Sequence, residues 1–118
     1  METQVLNVLI VEDSEVAIDG FVKMMPPGVN ATIVRSLDKA AQQPFPEFTV
    51  IALDGNVIGG DTVGLARKIK DSGFEGTVFV MSNDARLNQT LVQAAGKGVF
   101  IEKKDLTGHL EELVQRSR

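Results

Sequence analysis

The 118 residues suffice for one compact domain and are few for two, and a 43% hydrophobic content can bury a real core. A net charge of −4 with the signs interspersed argues against direct nucleic-acid binding through a broad basic face and against a polybasic membrane anchor. The chain has no cysteine, so disulfides and thiolate metal sites are out, in keeping with a cytoplasmic location; no segment resembles a secretion signal or reaches the ~18 apolar residues of a membrane span.

Val5–Val11 is a short, β-branched, nearly all-apolar run, the pattern of a strand buried on both faces. Ser14 suits a helix N-cap, and Ala17, Phe21 and Met24 form an apolar stripe before Pro26-Pro27-Gly28 breaks the helix. Residues 31–34 predict a second strand. Ser36 or Asp38 caps a short helix through Gln42, and residues 48–53 predict a third strand ending at Asp54. After a loop, Asp61 or Thr62 opens a helix carrying Leu65, Ala66 and Ile69 that stops near Ser72-Gly73. Residues 77–81 form the fourth strand, running into Ser82. Asp84 caps a helix with Leu87, Leu91 and Ala94/Ala95 on one face, closed by Gly96. Residues 99–101 give a fifth strand, then Glu102-Lys103-Lys104, and Leu106, Leu110, Leu113 and Val114 mark a last helix.

Apolar strands alternating five times with helices imply an α/β fold: parallel strands, right-handed crossovers and helices on both faces. In such sheets ligands bind beyond the carboxyl ends of the strands. Glu12 and Asp13 follow the first strand, Asp54 the third, Ser82 the fourth, and Lys103 and Lys104 the fifth. Each has an ordinary explanation alone: helix-terminal acids, a turn aspartate, a capping hydroxyl, a surface lysine. Together they put three carboxylates, a hydroxyl and an ammonium on one rim. Crowded carboxylates call for a counter-charge, and oxygen donors select a hard ion such as Mg²⁺. A carboxylate so neutralised can attack a phosphoryl group, whose equatorial oxygens then need the cation, a lysine and a hydroxyl.

The stretches VLIVEDS, VIALDGN, VFVMSND and GVFIEKKD, in that order and over essentially the whole chain, resemble those of response-regulator receiver domains (CheY-like) of two-component signalling. The resemblance implies a flavodoxin-like (βα)5 fold with a five-stranded parallel sheet of order 2-1-3-4-5. It implies Asp54 as the phosphoacceptor, Asp13 as a direct Mg²⁺ ligand, Glu12 acting mainly through water, and the Asn56 backbone carbonyl completing the metal site. Ser82 matches the switch hydroxyl, Lys103 the lysine paired with the phosphoryl group, and Phe100 the aromatic switch position. A buried Phe needs no hydrogen-bond partner, so its inward rotamer is expected even without phosphate.

The sequence also departs from that family. Lys104 stands where proline usually follows the lysine, so a trans bond or a rearranged loop is expected. Strand register selects Lys103 over Lys104 for the site, and Lys104 remains a candidate modulator. Ile58 replaces a usual proline, and Gly59-Gly60 lengthen the loop. Asn83 replaces a small residue after the switch position, where it would modulate access to Asp54 or orient hydrolytic water.

The expectation is a single receiver domain over residues 1–118 that catalyses only its own phosphoryl transfer and dephosphorylation. Its partners are a histidine kinase or histidine phosphotransfer protein and a downstream target or output domain, with homodimerisation through helix 4, strand 5 and helix 5. The competing expectation is a degenerate receiver that acts as a phosphorylation-independent interaction module. A phosphoaspartate hydrolase would want a second acid where Asn56 stands, and an FMN carrier would be repelled by Glu12-Asp13.

Overall fold

A computed structural model describes residues 5–57 and 60–117. β1 (Leu6–Val11) is an interior strand, second from one edge of a five-stranded sheet. It pairs in parallel with β2 (Val29–Val34), from Leu6 opposite Val29 to Val11 opposite Val34. Its other side pairs with β3 (Val50–Leu53), from Val8 opposite Val50 to Val11 opposite Leu53. β4 (Thr77–Val80) and the two-residue β5 (Val99–Phe100) follow, giving the order 2-1-3-4-5, all parallel.

The apolar runs predict this burial directly. Val8–Val11 and Val50–Leu53 are each at most 2% exposed. Strand side chains alternate between faces, so each run feeds two cores. Leu9, Val11, Ile51, Leu53, Val78 and Val80 pack with Leu65, Ile69 and Leu91 from α3 (Thr62–Asp71) and α4 (Ala85–Ala95). Val8, Ile10, Val50, Ala52 and Phe79 pack with Phe21, Leu106 and Leu110 from α1 (Glu15–Met24) and α5 (Leu106–Arg116). A helix layer on each face is the result.

The caps resolve two open choices. Ser36, not Asp38, accepts from the Lys39 N–H and starts α2 (Leu37–Ala41). Asp61, not Thr62, accepts from the Gly64 N–H and starts α3. Ser14 and Asp84 cap α1 and α4 as expected, and Gly96 closes α4 at φ +77°, a left-handed conformation that suits glycine.

Some boundaries move. β2 begins at Val29 rather than Ala31, because β1 supplies partners along that whole edge. β3 begins at Val50 rather than Phe48, because Pro46 sits in a 3₁₀ turn over Phe45–Glu47 that buries Phe45. The stripe on α1 is Ala17, Ile18 and Phe21; Met24 is 69% exposed, since the helix turns it away from the sheet. No cis peptide occurs among the described residues, so the Lys103–Lys104 bond is trans, within a 3₁₀ turn over Lys103–Asp105. Residues 1–4, Ile58, Gly59 and Arg118, among them the departures noted at Ile58 and Gly59, lie outside the described residues. No helix among the described residues is long and apolar enough to cross a membrane.

Candidate functional site

β1 and β3 each end one residue before an acid, Ser82 and Lys103 follow β4 and β5 by two and three residues, and parallel pairing gathers those ends. The Glu12 N–H still donates to Val34 O at 3.0 Å, and the Asp54 N–H to Val11 O at 3.0 Å. The sheet ladder therefore fixes both acids before their side chains make any contact. Glu12 is fully buried and Asp54 is 3% exposed. Burying ionised carboxylates is costly unless they are bonded or paired.

The chain meets that cost locally. Glu12 Oε2 accepts from the N–H groups of Asp13 (3.2 Å) and Ser14 (3.1 Å), and Asp54 Oδ1 accepts from the Asn56 N–H at 3.1 Å. Lys103 spans the two acids, its Nζ 2.8 Å from Glu12 Oε1 and 3.2 Å from Asp54 Oδ2. The approach to Oε1 is an ion pair outside hydrogen-bond angles, and this buried oxygen has no hydrogen-bond partner beyond that ammonium. Burial pushes the Glu12 carboxyl above its ordinary range, against the opposing pull of Lys103. Burial alone would lower Lys103, but contact with Glu12 and the charges of Asp54 and Glu12 outweigh it and hold the ammonium above its ordinary range.

Glu12, Asp13 and Asp54 each offer a carboxylate oxygen, and these oxygens lie within 4.8 Å of one another. That spacing lets them share one cation. An all-oxygen donor set, one of whose buried oxygens meets only an ammonium, fits a hard dication better than a soft metal. The expected acids and Lys103 thus come together.

Ser82, at 1% exposure, is buried on the same rim. Its Oγ accepts from the Asp84 N–H at 3.0 Å and from Asn56 Nδ2 at 3.2 Å. Asn56 was expected to contribute through its carbonyl; its N–H and its side-chain amide also bridge Asp54 to Ser82. A cleft of about 420 Å³ lies beside Ser82, Phe100 and Lys103.

Three expectations need correction or narrowing. Phe100 points outward at 57% exposure, because β5 pairs over only two residues and its outer edge is open. Its ring lines an apolar groove over α4 instead of filling the space beside Ser82. Lys104 is turned to the surface and pairs with Glu102 at 3.3 Å, with no contact to the acids. Asn83 is exposed at the mouth of the cleft and makes no recorded bond to Asp54.

Two buried polar contacts are not anticipated by the sequence. Asn88 on α4 is 5% exposed and bonds the backbone of Ser82. Thr62 is 5% exposed and donates to Gly55 O at 3.2 Å, tying α3 to the loop after Asp54. Asn88 carried a signal: it falls between Leu87 and Leu91 on a helix face that is otherwise apolar. Gly55 is also more than a turn residue, since a Cβ there would meet Leu87 Cδ2 at 2.6 Å.

No protein-family model matches the chain, and no curated protein matches it. Solved structures do. The response regulator domain of Thermotoga maritima CheB aligns with a TM-score of 0.74 at 15% identity, over 96% of each chain. The BeF3-activated DrrB receiver domain aligns at 0.72 and 13% identity, over 95% of this chain and 99% of that one. The Legionella pneumophila response regulator LqsR aligns at 0.68 and 17% identity, over 96% of this chain, which spans 45% of LqsR. In strand order, in layering and in the course of the whole chain, this protein has the fold of response-regulator receiver domains.

Proposed function

We propose that the chain is a phosphoacceptor switch in two-component signalling, with Asp54 as the residue phosphorylated. The observation that carries this reading is the Glu12–Lys103–Asp54 bridge, with Asp13 within the same group of oxygens. An exposed acidic patch would show neither the burial nor the bridging ammonium. Glu12, Asp13, Asp54 and the Asn56 carbonyl would hold Mg²⁺. Bound there, the ion would neutralise the acids and the charge on the transferred phosphoryl oxygens.

In the proposed reaction an Asp54 carboxylate oxygen bonds to the phosphorus of a phosphohistidine. The P–N bond breaks and its electron pair stays on the imidazole nitrogen, which takes up a proton. Lys103 moves from carboxylate to phosphoryl oxygen with little travel. Ser82 Oγ accepts both of its recorded bonds, so its own proton remains to be donated to a phosphoryl oxygen. A histidine kinase or histidine phosphotransfer protein would be the donor. A downstream protein or output domain would read the face of α4, β5 and α5, where Val99 and Phe100 are exposed.

Incubation with acetyl phosphate and Mg²⁺ followed by mass spectrometry tests this. One phosphoryl group should appear on the wild type, map to Asp54 and be absent from Asp54→Asn. A wild type that gains no mass and binds no beryllofluoride would leave the phosphorylation-independent interaction module as the better account.

A further inference from the structure

Ser82 has no strand beside it. β4 ends at Val80, and the last ladder-like bond is from the Met81 N–H to Leu53 O at 2.9 Å. Yet Ser82 is 1% exposed, so its backbone groups are cut off from water. A buried N–H or C=O without a partner is rare because it costs as much as a lost hydrogen bond.

Both groups are satisfied by one side chain. Asn88 Oδ1 accepts from the Ser82 N–H at 3.0 Å, and Asn88 Nδ2 donates to Ser82 C=O at 2.7 Å. The chemistry fixes the amide's orientation, since the N–H needs an acceptor and the carbonyl a donor. Asn88 lies at the fourth position of α4 and is itself 5% exposed. It stands in for the neighbouring strand that Ser82 lacks.

The hydroxyl and the backbone of Ser82 are therefore held differently. Rotating Oγ releases only the bonds from the Asp84 N–H and from Asn56. Moving the backbone either breaks two buried bonds or carries the first turn of α4 with it. One position beyond Asn88 comes Gln89, and a turn beyond comes Val92; both line the groove of about 450 Å³ that Phe100 borders.

We propose that Asn88 is a positioning residue that ties the Ser82 backbone to α4, so that a shift of Ser82 toward the phosphoryl group moves the helix and its groove with it. The inference rests on the phosphoacceptor reading of Asp54.

The test is amide NMR of the full chain with Mg²⁺ and beryllofluoride, in wild type, Asn88→Ala and Asn88→Asp. In the wild type the resonances of Ser82, Gln89 and Val92 should shift together on adduct formation. In Asn88→Ala the adduct still forms and Ser82 still shifts, but the Gln89 and Val92 shifts are lost. The Ser82 amide should also exchange faster, on the order of tenfold, as fits one lost buried hydrogen bond. Asn88→Asp keeps the acceptor and loses the donor, so it should stay folded, protect the Ser82 amide and show α4 shifts between those of wild type and Asn88→Ala. Merely filling space would not uncouple the two sets of signals. Unchanged Gln89 and Val92 shifts in both variants, with the adduct formed, would overturn the role of Asn88 and leave the phosphoacceptor reading standing. A wild type that forms no adduct would overturn that reading, and this inference with it.

Discussion

The two ends of the carboxyl rim are built differently. Under β1 and β3, Glu12 and Asp54 extend strands buried on both faces, and backbone N–H groups and Lys103 hold their oxygens. Under β4 and β5 the sheet thins to a two-residue pairing, Val99 and Phe100 stand 54% and 57% exposed, and Ser82 is held by side chains. Segments with few buried contacts open at low free energy, while core strands open only with the whole fold. The first end suits chemistry that needs fixed charges. The second suits a response that must move.

The largest effect should come from the fixed end. Asp54→Asn is expected to abolish phosphoryl incorporation, while removing one of three crowded carboxylates leaves the fold intact. Retained incorporation in this variant would put the reactive group elsewhere and dissolve the contrast between the ends.

The tandem lysines give the next largest effect. Lys103→Ala leaves Glu12 and Asp54 buried without their cation and should cost roughly 2 kcal/mol. That lies below a fully buried pair because the ammonium keeps a third of its side chain in water. Lys104→Ala removes one exposed pair and should stay within about 0.5 kcal/mol. Urea melts of the metal-free protein measure both, and equal losses would mean that the bridge is not what holds the acids.

How much of this is legible in the sequence follows from the same contrast. β1 and β3 are apolar at nearly every position, so their burial, their parallel pairing and the acids that follow them can be read directly. Lys103 rather than Lys104 follows from register, because Ile101 must point inward, and it is 4% exposed. The lightly built end is not legible in the same way. Whether Phe100 faces in or out depends on how far β5 pairs, which no local pattern encodes. Asn88 hides because its partner is the backbone of Ser82, whose need for partners exists only once β4 ends where it does. The side chain of Asn56 is missed for a related reason: a loop residue's contacts depend on where the neighbouring strand stops.

A smaller effect separates the ends by pH. The folded protein holds the Glu12 proton above the ordinary carboxylate range, whereas the unfolded chain releases it there. The native state thus binds more protons in that window, and stability falls as pH rises through it. Lys103 acts in the same sense only in the alkaline range, above the ordinary lysine value. The urea midpoint of the metal-free wild type, relative to Glu12→Gln, should therefore drop as pH rises from the ordinary carboxylate range through the raised range of Glu12. A difference that does not vary with pH would mean that Glu12 is solvated and that this end is less tightly built than its geometry indicates.

The smallest effect should be at Phe100. Its ring is largely in water, so Phe100→Ala should change stability by no more than about 0.5 kcal/mol, as for other surface positions. Phe79, 6% exposed on the neighbouring strand, should cost about 3–5 kcal/mol when cut to Ala. A loss near 2 kcal/mol at Phe100 would mean that the ring spends its time inward in the resting protein, and the light end would then be packed like the fixed one. The same variant measures what the ring contributes once the site is loaded. If the beryllofluoride form draws the ring inward, the wild type gains burial that Ala cannot supply, and the adduct must form more weakly on Phe100→Ala. Equal affinity in the two proteins would keep the ring in the α4 groove in both states, leaving Asn88 and α4 to carry the response alone.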